Sequence, residues 1–235
     1  MKNRIKAFGV HLAISVVIFL AILALVYFVW FPGVLFHAGA WQGLKIIAFV
    51  DLVLGPVLTF VVFNTKKKSL KWDLAAVGLL QIACLVYGLM QLEQQRIVSV
   101  VLMADQLSIV HKMDLERAGV EVSDLRHLGG GLPVLAFYDL PEDTTAAKVE
   151  LQIMATFKGQ PQLQVDNYIP MHNALNDETI NKRLQWRLDR LRYNIDEQCY
   201  WVDIEDKYVD GEACFAPQYG VKQLVQYKDE ATLDS

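Results

Sequence analysis

Three long runs of apolar residues fill the first 92 positions of the chain, and a mixed polar pattern follows them. The runs cover residues 8–31, 44–63 and 74–92. Each is close to the roughly 20 residues that an α-helix needs to cross the hydrocarbon core of a bilayer. The pattern therefore predicts three N-terminal transmembrane α-helices over 1–92 and a separate C-terminal domain over 93–235.

The C-terminal part alternates short apolar runs with turn-forming residues. Runs rich in β-branched and other apolar residues at 97–103 and 132–138 predict strands, while 114–118 and 144–157 predict helices. Further along, the alternation around Asp210-Gly211 predicts a hairpin that turns at these two residues. Strands and helices in irregular order favour an α+β fold for this domain.

An amphipathic helix is predicted over 178–192, after an extended connection. Ile180, Leu184 and Leu188 share one side of it. The rest of its surface is basic and carries Lys182, Arg183, Arg187, Arg190 and Arg192. A helix packed on the core with a solvated face explains this pattern, and contact with anionic headgroups or an acidic partner is the alternative.

Basic residues near the ends of the apolar runs predict the orientation of the membrane part. Lys2, Arg4 and Lys6 precede the first run, whereas the connection 32–43 carries no charged residue. The loop after the second run is rich in lysine, at positions 66, 67, 68 and 71. Because short cytoplasmic segments are enriched in Lys and Arg, the N-terminus is expected in the cytoplasm and the C-terminal domain on the other side.

A cleaved signal peptide is the alternative interpretation of the first run. Ala38-Gly39-Ala40 has the small-x-small form of a cleavage site. However, signal peptides have apolar cores of about 7–15 residues, and this run is much longer. The first run is therefore interpreted as a retained membrane helix.

The charges separate the two parts of the chain further. Of the 22 Lys/Arg and 26 Asp/Glu residues, the first 92 positions hold eight basic and two acidic ones. The C-terminal domain is therefore acidic, whereas nucleic-acid binding needs a basic surface. Membrane lipid is the expected environment of the first part, and nucleic acid is not an expected partner.

The second run contains a residue that is unusual in a membrane helix, Asp51, followed by Gly55, Pro56 and Thr59. Positions 51, 55 and 59 lie on one side of a helix. Small residues let membrane helices approach closely, and a carboxyl at this depth costs roughly 3 kcal/mol unless it faces protein or water. These four residues, with Trp41 just before the run, are therefore the candidate partner-binding or helix-packing residues.

Depth in the membrane decides which groups can reach Asp51. Counted from a helix end at Leu44, Asp51 lies roughly 10 Å inside the membrane. That level matches Tyr27 and Tyr87, whose hydroxyls can donate to the acid, and it places His11 too far towards the cytoplasm. Three states of Asp51 stay open: pairing within its own bundle, protonation, or contact with a group of another protein.

The cysteines and the known motifs limit the chemistry of the chain. Cys84 lies in the third apolar run, and Cys199 and Cys214 lie in the C-terminal domain. In an oxidising compartment the latter two are predicted to form a disulfide, which would stabilise the domain by about 3 kcal/mol. No histidine stands at zinc-ligand spacing, the acidic residues lack calcium-loop spacing, and no G-x-S-x-G, H-E-x-x-H or phosphate-loop motif occurs. The sequence therefore predicts no catalytic residues, no metal site and no cofactor.

Three stretches of the membrane part form a characteristic set: the opening KNRIKAFGVHLAISVVIF, Trp41-Gln42-Gly43, and DLVLGPVLTFVVF from Asp51 onward. Together they resemble the type IV pilin accessory proteins of the TfpX/TfpZ type. The C-terminal domain resembles that family in layout, with a strand, Asp105, a helix and Pro141-Glu142-Asp143. The resemblance implies a multi-pass protein of the bacterial inner membrane, with a periplasmic C-terminal domain, that acts in type IV pilus biogenesis. It brings no catalytic residues.

The resemblance and the residues around Asp51 together predict a non-enzymatic accessory factor, or chaperone, for type IV pilin assembly. The expected partner is a pilin subunit, and the pilus assembly machinery is a second candidate. The stripe of Asp51, Gly55 and Thr59 would either hold the bundle together or receive the pilin helix. The alternative is an envelope enzyme or transporter component that uses Asp51 to handle protons.

Overall fold

The structure, a computed structural model, describes residues 2–64, 67–129, 131–141, 144–158 and 160–226. The chain forms two compact units, a helical unit that ends at Gln95 and a sheet domain that begins at Arg96. Three long apolar helices and a mixed sheet with helices confirm the predicted class of a membrane-anchored α+β protein. Lys66, Glu142 and Asp143 lie outside the described residues.

The helical unit contains three spans that are long and apolar enough to cross a membrane. The first span comprises α1 (Lys2–Leu25) and a π-helical turn (Val26–Trp30), and a 3-10 turn (Gly33–His37) follows it. The middle span comprises α2 (Ala40–Ala48), a π-helical segment (Phe49–Leu54) and α3 (Gly55–Val62). The third span is α4 (Leu70–Gln94).

Each span begins earlier than its apolar run predicts. The first starts at Lys2 rather than at residue 8, the middle one at Ala40 rather than 44, and the third at Leu70 rather than 74. Apolar runs mark only the part of a helix that hydrocarbon can cover, whereas polar residues at its start still join the helical backbone. The middle segment that is apolar enough to cross a membrane starts at Gly43, close to the predicted residue 44.

The middle span widens just before Pro56. This residue has no amide hydrogen, and its ring crowds the carbonyl one turn back, so a regular α-helix cannot pass through it undisturbed. The backbone forms the π-helical segment instead, in which the Gly55 N–H donates to the carbonyl oxygen of Val50. π-Helical turns are frequent at functional sites, and this one contains Asp51.

The sheet domain is built on an eight-stranded mixed sheet. Its strands are β1 (Ile97–Met103), β2 (Gln106–His111), β3 (Val134–Tyr138), β4 (Tyr168–Pro170), β5 (Arg192–Asn194), β6 (Cys199–Glu205), β7 (Asp210–Ala216) and β8 (Gly220–Gln226). Their order across the sheet is β4-β3-β1-β2-β6-β7-β8, and β5 also pairs with β6. The β1–β3 and β2–β6 pairs are parallel, and the others are antiparallel.

Four α-helices accompany the sheet in the described residues: α5 (Lys112–Arg117), α6 (Thr144–Lys158), α7 (Met171–Asn176) and α8 (Glu178–Leu188). The main core lies around β1 and β3, where Val101 and Ala136 are fully buried together with Leu115 and Leu125. The start of α8 is fixed by Asp177, whose carboxylate accepts two backbone N–H groups of the first turn.

Several short elements lie in stretches that the pattern predicts otherwise. β2 follows β1 through a turn in which Ala104 takes a left-handed φ of 51°. Because alanine rarely marks such a turn, the sequence gives no sign that a new strand begins. The predicted extended connection before α8 contains β4 and α7, and Arg192 begins β5 because α8 already ends at Leu188.

The prediction that the β6–β7 hairpin turns at Asp210-Gly211 is wrong. Both residues already lie in β7, in register with β6. The turn precedes them, where the Asp206 carboxylate accepts the backbone N–H of Tyr208. Asp206 also contacts the buried His111 ring, with 2.7 Å between Oδ1 and Nε2. This contact with β2 is remote in sequence and therefore invisible to a local pattern.

Candidate functional site

A groove of about 700 Å³ lies between α1 and α4 in the helical unit, along one side of the middle span. Its walls are largely apolar and include Ile14 and Ile82, which expose 55% and 60% of their surfaces. Seven polar side chains of the spans line the groove: Asn3, Lys6, His11, Ser15, Asp51, Thr59 and Gln81. The groove is therefore an apolar channel with a polar strip along it.

Asp51 is one of the buried residues of this strip. It exposes only 5% of its surface and lines the groove from the π-helical segment. Among the described residues, none forms a hydrogen bond with its carboxyl group. Since buried polar groups are normally paired, Asp51 is an exception that needs a physical explanation.

Thr59 is paired within the bundle. Its Oγ1 lies 2.6 Å from Nδ1 of His11 on α1, so the two side chains share a hydrogen bond. Nearby, the rings of Phe8 and Phe60 meet edge-on at 6.3 Å. These contacts fix the register of the first span against the middle one.

Gly55 is also used inside the bundle. A Cβ atom at this position would lie 1.7 Å from Nε2 of Gln81 and 3.2 Å from Nε2 of His11. The missing side chain therefore makes room for two polar groups from the neighbouring spans. Gly55 is buried, in keeping with this packing role.

The predicted stripe thus divides into two kinds of residue. Thr59 and Gly55 hold the first and third spans against the middle one, whereas Asp51 forms no hydrogen bond with a described residue and interacts with His11 electrostatically. Of the two uses that the sequence left open for the stripe, packing of the bundle is therefore seen at Gly55 and Thr59.

The prediction that His11 lies too deep to approach Asp51 is wrong, because both side chains line the same groove. His11 also interacts electrostatically with Asp51, and its Nε2 lies 3.2 Å from the position that a Cβ atom at Gly55, one turn after Asp51, would occupy. Neither Tyr27 nor Tyr87 lines the groove, and Tyr27 packs against aromatic rings near the end of the first span.

The other two candidate residues contribute indirectly or elsewhere. Pro56 is buried and acts through the backbone, because it causes the widened turn that carries Asp51. Trp41 does not line the groove. It is half exposed, and it lies beside Phe36 with the Lys45 ammonium 5.2 Å from its ring centre.

Several groove residues escaped the sequence-based choice, among them His11, Gln81 and Gly78. Each is a polar or small residue within an apolar run, which is a usable signal. A Cβ atom at Gly78 would meet nothing within 4 Å, so the space next to this residue of the groove is open. Only the packing of the spans shows that these residues line the same groove as Asp51.

The sheet domain contains a buried polar pair, His111 and Asp206. His111 and Asp206 each expose 1% of their side chains and lie 2.7 Å apart. The ring of Tyr208 meets His111 edge-on at 5.2 Å, and burial raises the pKa of Tyr208, so this ring stays neutral. The pair joins β2 to the β6–β7 turn and thus has a structural role.

A disulfide joins Cys199 of β6 to Cys214 of β7, as predicted, with 5.4 Å between their Cα atoms. Both cysteines are fully buried, and Trp201 packs against them. The bond ties two adjacent strands whose turn is held by Asp206. Cys84 is a free cysteine in α4.

The N-terminal segment of the chain matches a family of known proteins. Residues 1–33 match the model of "Fimbrial assembly protein FimB". Among curated proteins, the chain is 31% identical over 113 residues to the "Fimbrial assembly protein, serogroup E1" of Dichelobacter nodosus. It is 28% identical over 113 residues to the protein of serogroups C1 and C2 from the same organism. The resemblance to pilus accessory proteins is confirmed at this level.

These matches cover part of each chain. They span 47% of this chain in both cases, 44% of the serogroup E1 protein and 86% of the serogroups C1 and C2 protein. The chain thus covers less than half of the length of the first of these relatives. No solved structure shows a significant match to this chain.

Proposed function

We propose that this protein is a non-enzymatic accessory factor that holds a type IV pilin subunit in the bacterial inner membrane before pilus assembly. Its N-terminus is in the cytoplasm, and its sheet domain is in the periplasm. The helical unit contacts the apolar helix of the pilin, and the sheet domain lies on the same side of the membrane as the pilin head.

The observation that carries this proposal is the buried Asp51 carboxyl without a hydrogen-bond partner among the described residues. An acid at membrane depth costs roughly 3 kcal/mol to insert, and a self-contained bundle would recover that cost with an internal donor. A bundle that receives a second protein can recover it on binding. The arrangement therefore favours a binding role for the helical unit.

Three further findings support the cellular setting. Proteins similar to this chain are named fimbrial assembly proteins. The basic N-terminus and the lysine-rich loop between the second and third spans favour a cytoplasmic location for both. The disulfide in the sheet domain favours an oxidising compartment, such as the periplasm.

The proposal is tested by removing the protein from a piliated host and by isolating the tagged full chain in mild detergent. We expect the deletion strain to lose surface pili while its pilin gene is still transcribed. We also expect the tagged protein to retain pilin through purification. Normal piliation without the protein, together with absence of pilin from the purified sample, would contradict the proposal.

Proton handling by Asp51 is the second candidate, favoured by the shared groove of His11 and Asp51. The variants Asp51→Asn and Asp51→Leu separate the two functions. If Asp51 handles protons, Asp51→Asn should bind pilin normally and lose activity. If Asp51 accepts a hydrogen bond from a partner, Asp51→Asn should retain pilin because its amide oxygen still accepts, whereas Asp51→Leu should lose pilin from the purified complex at unchanged abundance.

A further inference from the structure

We infer that the groove between α1 and α4 receives one transmembrane helix, which presents a hydrogen-bond donor to Asp51. This inference rests on the proposed function, in which the helix belongs to the pilin subunit. It adds the surface on which the helix lies and the chemical group by which it is recognised.

The dimensions of the groove fit a helix that lies along it. On α1 the lining residues extend from Asn3 to Ile18, and on α4 from Leu74 to Leu85. At 1.5 Å per residue these stretches are roughly 22 and 16 Å long, or three to four helical turns. A volume of about 700 Å³ over such a length gives a mean cross-section of roughly half that of a helix about 10 Å wide. The occupant would therefore be held on one side and contact lipid on the other.

The chemistry of the groove disfavours the simplest alternative, a lipid acyl chain. Such a chain could cover the apolar walls at Ile14 and Ile82, but it has no hydrogen-bond donor for Asp51. Within the hydrocarbon region, only a helix or a closed barrel can bring protein groups to this depth with its backbone satisfied. A membrane helix with a polar donor facing Asp51 meets both requirements.

Gly78 provides the place of closest approach. The space in front of it is open for at least 4 Å, while Gly55, Gly43 and Gly88 face side chains of the bundle at shorter distances. Small residues at a helix interface let two backbones approach, which strengthens packing in a bilayer. Gly78 is thus the one of these four glycines that another helix can use.

The inference is tested by photo-crosslinking of the full chain in the piliated host. A photoreactive residue replaces Ile82 in the groove wall or Leu80 on the other side of α4, two positions with similar exposure of 60% and 56%. We expect a pilin adduct from position 82 and little from position 80. An adduct only from position 80, or a dimer of this protein from position 82, would overturn the inference.

Two substitutions then test the mechanism in the variant that carries the crosslinker at position 82. Gly78→Leu fills the groove and should abolish the adduct, whereas Gly9→Leu, at another open glycine outside the groove, should not. Asp51→Leu should reduce the adduct about tenfold, because a donor would lose its acceptor. An unchanged adduct in Gly78→Leu or Asp51→Leu, with each variant at normal abundance, would overturn the inference.

The same samples distinguish failure of this inference from failure of the proposed function. If pilin is retained in detergent but the position-82 adduct is absent, pilin binds elsewhere and only the groove assignment is wrong. If pilin is neither retained nor crosslinked from any position, the proposed function itself is wrong.

Discussion

The two units of this protein deal differently with the charged groups that they bury. In the sheet domain, Arg187 exposes 6% of its surface and donates to the carbonyl oxygens of Leu140 and Pro141 at 2.5 and 3.0 Å. In the helical unit, Asp51 exposes 5%, and no described residue forms a hydrogen bond with it. The comparison indicates that Arg187 donates to groups of its own domain, whereas no described residue donates a hydrogen bond to Asp51.

The two units also differ in which side chains they expose and which they bury. The helical unit exposes many large apolar side chains, among them Phe28 at 74% and Leu79 at 69%, and buries polar ones such as Ser15. The sheet domain buries a continuous apolar core around β1 and β3. An apolar surface suits a lipid environment, and an apolar core suits a domain in water. The stability of each unit therefore needs its own measurement.

Removal of the disulfide should have the largest effect, and it should stay within the sheet domain. Replacing Cys199 and Cys214 by serine opens a loop with a sequence separation of 15, which should cost about 3 kcal/mol. Hydrogen exchange of the full-length protein should show faster exchange in β6 and β7. Faster exchange in the three spans as well would show that the two units are not independent.

Arg187→Met should destabilise the sheet domain by about 2 kcal/mol, because the buried carbonyls of Leu140 and Pro141 lose a charged donor. Limited proteolysis of the full chain should therefore cut the sheet domain faster. Arg190→Met is the matched control, since Arg190 is exposed and stacks on Trp186 at 3.5 Å. Equal sensitivity of both variants would argue against the internal pairing of Arg187.

Gly55→Leu should destabilise the helical unit by about 2 kcal/mol, because the added side chain displaces Gln81 and His11. Thermal aggregation of the detergent-solubilised protein should begin at a lower temperature. The matched variant Gly78→Leu adds the same side chain to open space and should leave this temperature unchanged. A similar loss in both variants would mean that Gly78 faces a neighbour rather than a groove.

Asp51→Asn should have the smallest effect on stability. Unlike Arg187→Met, it should not destabilise the unit that contains it. Removal of a buried acid without a hydrogen-bond partner should not lower the onset temperature of aggregation, because no internal hydrogen bond is lost. A clear decrease in that temperature would show that Asp51 is already paired within the bundle. In that case the contrast between the two units would disappear.

Much of the architecture follows from local patterns. The three apolar runs locate the three spans because the bilayer sets their length and composition. The apolar run at Ile97–Met103 coincides with β1, and the two cysteines of the C-terminal domain are bonded. The predictions fail where distant residues decide, as in the hairpin turn that Asp206 makes when it binds His111.

The sequence by itself determined that a carboxyl lies within a membrane span, followed by Gly55, Pro56 and Thr59, because composition and spacing are local properties. Only the tertiary structure decided what each of these residues does. In the packed bundle, Thr59 shares a hydrogen bond with His11, and Gly55 makes room for Gln81. Asp51 lines a groove. The physical reason is that these contacts join residues of different spans, far apart in the sequence, which no local pattern records.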